Sequence, residues 1–344
     1  MGNGKLAVGG VRLLAAAAGF AIVLASPAKA QDAVGAGAPF PRAVFKKWTE
    51  MAVSGAGVTV TYDPGGAGPA QSRLLAHEID FSVSGLPMPQ ELLAQGDLIQ
   101  FPYLVGGVVC AINVPGFSAN QLRLNGVLLA RIYTGQIKNW NDPDIAAVNP
   151  GATLPDLAIR PISQRDFFGP TYGFTQYIMN VNADWREKHG SFVKKRWAVG
   201  STVDSGDAMT ETIRVLPGSI GYMDYNTALT TKAATVLLLN PAGQYVAPGQ
   251  SGFEAASSAA DWSSAKDLVV PLYSRPGEAS WPMSQTSYVQ MPRVPRDKEH
   301  GVAVRKFFNF VFSSGGRAAT ETNFVPLPAA AQARVRPLLG EPGG

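Results

Sequence analysis

The side chains that most often carry out catalysis or bind metals are few and scattered in this sequence. His77, His189 and His300 lie far apart, and none has a partner at metal-ligand spacing. His77-Glu78-Ile79-Asp80 allows a metal site, but we favour a solvated helix end before a buried strand. No Gly-x-Ser-x-Gly stretch, the nucleophile turn of α/β-hydrolases, occurs. The sequence therefore predicts neither an enzyme nor a metal site.

Glycine-rich turns are the second feature that could contribute chemistry. Gly35-Ala-Gly37 and Gly65-Gly-Ala-Gly68 each precede a predicted helix. They lack both the full dinucleotide fingerprint and the Lys-Ser/Thr pair of a phosphate loop. Because glycine has no Cβ, such turns let the backbone approach a ligand or a neighbouring strand closely. They predict close backbone contacts, and we expect no cofactor.

The elements that position these turns alternate between short strands and helices. Residues 58–62 alternate in polarity, and residues 107–114 form an apolar run typical of a strand buried on both faces. Further strands are predicted at residues 234–239 and 286–291. Helices are predicted at residues 42–51, 71–77, 125–133, 174–180, 208–216 and 304–312. This alternation predicts an α/β protein with mainly parallel sheets.

The first thirty residues have the organisation of a secretory signal peptide. Lys5 and Arg12 make the start positive, residues 13–25 are apolar, and Ala28-Lys29-Ala30 supplies small residues at a cleavage site. The apolar run is shorter than the roughly 20 residues that span a bilayer. No cysteine follows it to carry a lipid anchor. We therefore predict export, with a mature start near Gln31.

Charge and length limit the classes of partner. The formal net charge of +4 falls to +1 when Lys5, Arg12 and Lys29 leave with the signal. No basic excess then argues for nucleic-acid binding. The remaining chain is long enough for two domains, each with its own core. Cys110 lies in an apolar run and is predicted to be a buried core residue.

A series of ordered segments forms a recognisable pattern along the chain. It begins at Gly35-Ala-Gly-Ala-Pro-Phe-Pro41 and is clearest at Ile132-Tyr-Thr-Gly-Gln-Ile-Lys-Asn-Trp-Asn141. The other segments are Gln100-Phe-Pro102, Val105-Gly-Gly-Val-Val109, Asn113-Val-Pro-Gly116, Asn149-Pro-Gly151, Leu216-Pro-Gly-Ser-Ile-Gly-Tyr222, Trp281-Pro282 and Leu327-Pro328. In this order they resemble the phosphate-binding proteins of bacterial phosphate ABC transporters, from about residue 35 to residue 338.

The resemblance implies a type II periplasmic binding protein fold. In that fold two α/β lobes, joined by two crossing segments, enclose a ligand in the cleft between them. By resemblance, residues 1–30 are the signal peptide, residues 32–106 with 285–344 form lobe I, and residues 107–284 form lobe II. Closure of the lobes over the ligand is the expected motion. The resemblance also implies a periplasmic location without a lipid anchor, a small-molecule ligand, an inner-membrane ABC permease as partner, and a monomer.

Relatives in this family hold phosphate with N–H groups at helix N-termini, hydroxyls, one Arg and one Asp. Most of these roles fall on changed residues here. In lobe I the candidate ligand-binding positions are Pro39, Phe40, Ala67, Gly68, Ser84 and Gly85. In lobe II they are Gln164, Arg165, Phe168, Gly169, Pro170 and Thr171. The family's Ser and Asp of lobe I fall on Ala67 and Gly85.

The lobe II positions depend on the alignment chosen. Without a gap, the family's Arg, Ser and Thr fall on Gln164, Phe168 and Pro170, whereas a one-residue shift brings Arg165 to the Arg position. Because a buried oxyanion without donors pays a large desolvation cost, two interpretations stay open. One is a transport receptor that binds phosphate or a related small ligand. The other is an accessory, secretion or sensing protein that has lost phosphate binding.

Overall fold

In a computed structural model of the chain, the described residues are 1–2, 31–164, 169–190 and 197–340. The strands in this part of the chain are β1 (Gln31–Gly37), β2 (Val58–Asp63), β3 (Phe81–Ser84), β4 (Leu98–Ile112), β5 (Arg123–Leu124), β6 (Arg160–Gln164), β7 (Ser201–Val203), β8 (Ser219–Asp224), β9 (Ala234–Thr235), β10 (Leu237–Leu239), β11 (Tyr245–Val246), β12 (Ser284–Pro292) and β13 (Val325–Pro326). The helices are α1 (Arg42–Gly55), α2 (Ala67–Leu75), α3 (Gln90–Gln95), α4 (Gly126–Tyr133), α5 (Pro143–Val148), α6 (Gly169–Val181), α7 (Ala183–Lys188), α8 (Gly206–Val215), α9 (Tyr225–Thr230), α10 (Gln250–Ser258), α11 (Lys298–Ser314), α12 (Gly316–Glu321) and α13 (Ala329–Leu339).

The main sheet runs in the order β2-β1-β3-β12-β4-β8-β6-β7, with β9 and β13 also paired to β4. Pairs β1–β2, β1–β3, β6–β7 and β6–β8 are parallel. The central strands differ, because β12 is antiparallel to both β3 and β4, and β4 is antiparallel to β8. The prediction of mainly parallel sheets is therefore wrong at the centre. The sheet is mixed because β4 and β12, the two crossing strands, run antiparallel to each other.

The long strand β4 changes partner along its length. Leu98 to Gly107 pair with β12, down to Ser284 opposite Gly107, whereas Val108 to Ile112 pair with β8. At the change, the Val108 N–H donates to the Met283 carbonyl over 3.0 Å. The Trp281 indole N–H also donates to the Val108 carbonyl over 2.8 Å. These hydrogen bonds hold β4 next to the segment that leads into β12.

A cluster of aromatic side chains lies on each side of the crossing strands. Helix α1 buries Val44, Phe45, Trp48 and Ala52, one face of an amphipathic helix, against the sheet of β1 to β4. The other half packs Tyr133, Phe174, Trp185, Trp197 and Tyr222 together. Both sets of side chains belong to one continuous hydrophobic core that runs through the buried strand β4. The lobe boundaries themselves stay a prediction.

Some chain segments cross the predicted lobe division. The side chain of Gln250 donates to the carbonyls of Thr320 and Phe324, and Arg334 donates to the carbonyl of Trp262. The chain from α10 onward therefore already contacts C-terminal elements before it reaches β12. Among the described helices, none combines the length and the apolar character needed to cross a membrane.

Most predicted elements are present, with differences at their ends. The predicted strand at residues 234–239 is divided into β9 and β10, and β4 begins at Leu98 rather than at residue 107. The helix predicted from residue 174 begins at Gly169. Cys110 is buried, as predicted, and burial raises the pKa of its thiol. Residues 3–30, which hold most of the predicted signal peptide, lie outside the described residues.

Candidate functional site

The turn between β1 and α1 supplies the first group at the cleft. Strand β1 ends at Gly37, the Ala38 N–H donates to the Val83 carbonyl, and Arg42 closes the turn by donating to the Pro39 carbonyl. Pro39 is exposed and Phe40 is half-buried. The Phe40 N–H has no hydrogen-bond partner among the described residues. The resemblance implies that Phe40 contacts the ligand, and this stays a prediction.

The start of α2 is more open than the start of α1. Gly66 precedes the helix at φ 116°, a conformation that favours glycine, and its N–H donates to the Gly37 carbonyl over 2.8 Å. Ala67 is half-buried and offers no hydroxyl, and Gly68 is exposed with open space around it. Pro69 is the third residue of α2, a position where proline is tolerated but donates no N–H.

The end of β3 contributes Ser84 and Gly85, which are both buried. The Ser84 hydroxyl accepts a hydrogen bond from the Leu86 N–H over 3.0 Å, so part of its capacity is used locally. A methyl group added at Gly85 would lie 3.2 Å from the Cα of Gly169 and 3.5 Å from Cε1 of Phe40. The backbones of β3 and α6 therefore meet here, beside the start of α1.

The lobe II positions separate into two groups. The Gln164 N–H donates to the Tyr222 hydroxyl over 3.0 Å, and the Thr171 hydroxyl lies 3.2 Å from the same oxygen. Thr171 is thus tied to the core of lobe II. Gly169 and Pro170, the first two residues of α6, are half-buried at the cleft. Arg165 and Phe168 lie outside the described residues, so their assignment stays a prediction.

A small cavity of about 10 Å³ lies between the two halves of the molecule. Its described lining comprises Phe40, Gly106, Gly107, Asp224, Tyr225, Asn226, Gln285, Ser287, Asn323 and Phe324. This volume is close to the lower limit for one water molecule. An oxyanion with four oxygens therefore needs the lobes to separate or a side chain to move. Except for Phe40, sequence reasoning had not assigned any of these residues to the ligand.

Asp224 is the charged residue in the described lining of this cavity. Its carboxylate caps α9, accepting from the Thr227 N–H over 2.9 Å and from the Thr227 hydroxyl over 2.6 Å. Burial raises the pKa of Asp224 above its usual value. Burial also raises the pKa of Tyr172, in the first turn of α6, to about 12, so that phenol stays neutral. A carboxylate here disfavours a fully deprotonated anion.

A second cavity lies apart from the cleft. A wider groove of about 470 Å³ is lined by residues that include Asp97, Gln100, Asp267, Arg293 and Arg334, and it shares no residue with the cleft cavity. It mixes acidic and basic groups, and Arg293 is already paired with Asp97 over 3.3 Å. In the described part of the chain, no group of three or more His, Cys, Asp or Glu side chains could hold a metal ion.

The missed residues come from parts of the chain far from the glycine turns. Gln285 is the first residue of the predicted C-terminal part of lobe I, one residue before the strand predicted at 286–291. Asp224 follows the family segment that ends at Tyr222, and Asn323 lies just before Leu327-Pro328. Asn323 adopts φ 62°, an uncommon backbone conformation that asparagine tolerates better than most residues. The only sequence signal for these three residues is that each lies close to a segment shared with the family.

Comparison with known proteins agrees with this architecture. The PBP superfamily domain matches residues 24–314. The phosphate-binding protein PstS of Pasteurella multocida is 39% identical over 300 residues, covering 87% of this chain and 87% of that protein. PstS of Haemophilus influenzae is 37% identical over 302 residues, covering 88% and 90%.

Solved structures show the same fold. A high affinity periplasmic phosphate-binding protein (PfluDING) bound with phosphate superposes with a TM-score of 0.69 at 19% identity, covering 89% of this chain and 93% of that one. A phosphate-binding protein from Stenotrophomonas maltophilia gives a TM-score of 0.67 at 15% identity, covering 89% and 93%. The chain belongs to the PstS family of phosphate-binding proteins and has their two-lobed periplasmic binding protein fold.

Proposed function

We propose that this chain is a periplasmic receptor that binds phosphate, or a closely related small oxyanion, in the cleft between its lobes. The observation that carries the proposal is the meeting of α1, β3 and α6 around Gly85. A methyl group added there would lie within 3.5 Å of atoms of Phe40 and Gly169, which come from opposite lobes. Helix N-termini favour anions because their first N–H groups lack partners and carry the positive end of the dipole.

Among the described residues, the donors in this region are backbone N–H groups. The N–H groups of Phe40, Ala67 and Gly68 have no hydrogen-bond partner among the described residues. Since charge-assisted hydrogen bonds are roughly twice as strong as neutral ones, two or three such groups can hold a small anion. The PstS proteins of Pasteurella multocida and Haemophilus influenzae are 39% and 37% identical to this chain, which supports the same ligand class.

Ligand entry requires the cleft to open. The cavity holds about 10 Å³ in this closed arrangement, and Gly106 and Gly107 line it. We propose that lobe I (residues 32–106 and 285–344) and lobe II (residues 107–284) rotate about the point where β4 changes partner. The hinge is then the pair of crossing strands, and ligand binding favours the closed state.

The receptor role implies a place in transport. We propose that residues 1–30 direct export to the periplasm, and that the loaded monomer delivers its ligand to an inner-membrane ABC permease. The proposal includes no chemical step, cofactor or metal. No feature of the described residues favours the accessory role over a transport receptor.

Calorimetry tests the proposal directly. The mature chain is unfolded, dialysed to remove any bound phosphate, refolded, and titrated with inorganic phosphate, with sulfate as the comparison anion. We expect one site per chain and little or no heat with sulfate. Phosphate at a hundred times its Kd should stabilise the fold by about 2.7 kcal/mol, a rise in Tm of several degrees. Absence of both heat and thermal shift with phosphate would reject the proposed function.

A further inference from the structure

Gln285 occupies the place where the two lobes meet. It lies on β12, where the crossing strands face the cleft, and lines the interlobe cavity. Methyl groups added at Gly85 and Gly169 would lie 3.2 Å and 3.5 Å from its Nε2. A methyl group added at Gly173 would lie only 2.4 Å from its Oε1. Three glycines from two elements therefore make the space that this one carboxamide fills.

The carboxamide of Gln285 has no partner in the described part of the chain. Its Oε1 is buried without a hydrogen bond, and its Nε2 donates to no described group. Buried polar atoms are almost always hydrogen-bonded, so an unpaired one requires an explanation. A half-turn about the last side-chain bond exchanges the two atoms, so either orientation presents one donor and one acceptor.

We propose that Gln285 is the specificity-determining side chain of this cleft, and that its amide contacts the ligand directly. This inference rests on the proposed function. The amide N–H donates to an anionic oxygen, and the amide oxygen accepts a proton that the ligand still carries, such as a P–OH. The ligand class is therefore a partly protonated oxyanion, and a fully deprotonated one such as sulfate leaves the amide oxygen unpaired.

The surroundings of Gln285 favour a neutral group over a charged one. Asp224 lines the same cavity and already supplies a carboxylate. A second carboxylate would repel an anion, and a Lys or Arg side chain could not accept a proton from the ligand. A carboxamide provides both hydrogen-bonding roles without either cost. Gly85, where the family has its Asp, leaves the room that Gln285 uses.

Binding of phosphate and of sulfate by three proteins tests the assignment. These are the phosphate-stripped wild type, Gln285→Ala and Gln285→Glu, all measured by calorimetry. We expect Gln285→Ala to weaken phosphate binding roughly tenfold, the loss of one hydrogen-bonded pair. It should weaken sulfate binding less, so that the phosphate preference falls. Gln285→Glu should weaken phosphate binding at least about a hundredfold, because like charges then face each other.

A matched control is Gln332→Ala, which removes a half-buried glutamine that donates to the Leu327 carbonyl and lies in a different cavity. It should leave phosphate affinity within about twofold of wild type. If wild type binds phosphate and Gln285→Ala binds it equally well or more tightly, the inference fails and the proposed function stands. If wild type binds no phosphate, both fail. Binding that appears only in Gln285→Ala would show that the side chain blocks the cleft, and would also overturn the inference.

Discussion

The crossing strands β4 and β12 and the turns at the cleft are held in place in different ways. All fifteen residues of β4 are buried. Strand β12 pairs along its length with the first part of β4, Leu98 to Gly107. At the turns, by contrast, Pro39 and Gly68 are exposed, and Ala67 and Gly169 are half-buried. Buried side chains stabilise the strands, whereas backbone hydrogen bonds hold most of the turns.

This difference explains which residues can change within one scaffold. A buried strand residue is constrained by every neighbour it packs against, so substitution costs stability. A ligand contact made by a backbone N–H constrains the side chain little, apart from excluding proline. Gln285 is the exception because it belongs to both regions. It is the one half-buried residue in the interior of β12, where the strand faces the cleft.

The largest expected effect is a difference in stability between a substitution at the crossing strands and one at the cleft. Trp281 is fully buried, and its indole N–H donates to Val108 where β4 changes partner. We expect Trp281→Ala to lower the free energy of unfolding by about 3–5 kcal/mol, as measured by chemical denaturation. Phe40→Ala, which removes a half-buried aromatic ring at the cleft, should cost at most about half as much. If both variants lost the same unfolding free energy, Phe40 would contribute as much to the core as Trp281 does.

An intermediate effect is expected where the regions meet. A methyl group at Gly173 would lie 2.4 Å from Gln285 Oε1 and 2.9 Å from Val108 Cγ2. Gly173→Ala should therefore cost about 1–3 kcal/mol through overpacking. In a Gln285→Ala background the cost should fall by about 1 kcal/mol, because the closer contact is gone.

The control for that cycle is Gly206→Ala, at the first position of α8. The added methyl group there would meet only Gln164 Nε2, at an ordinary 3.8 Å. It should be neutral within about 1 kcal/mol and additive with Gln285→Ala. If the Gly173 and Gln285 costs were also additive, the side chain would not lie against α6.

The sequence predicted the C-terminal part of β4 and the start of α1, because each has a local signal. An apolar run indicates a buried strand, and Phe40 lies in a glycine-proline turn before an amphipathic helix. It could not predict that β12 runs antiparallel to β4, since pairing across nearly two hundred residues has no local pattern. Gln285 was missed for the same reason. It gains its role only when Gly85, Gly169 and Gly173 are brought around it.

The smallest effect compares two aspartates that both cap helices. Asp224 caps α9 at the cleft, and burial raises its pKa above the usual 3.8. Asp297 caps α11 at the exposed start of that helix, and hydrogen bonds from the His300 and Glu299 N–H groups lower its pKa. Since Asn also caps helices well, Asp→Asn at either site should preserve the helix and remove only the titration.

The two substitutions should therefore change the pH dependence of stability in opposite directions. With a raised pKa, Asp224 contributes stability that is complete below its unfolded pKa and is lost as pH rises through its folded pKa. With a lowered pKa, Asp297 contributes stability that is present above its unfolded pKa and is lost as pH falls through its folded pKa. From about pH 4 upward, wild type should lose stability relative to Asp224→Asn, whereas below about pH 4 it should lose stability relative to Asp297→Asn. Unfolding free energies measured from about pH 3 to pH 7 check both signs. The same sign for both variants would show that the Asp224 carboxylate at the cleft is as well solvated as the exposed Asp297 carboxylate.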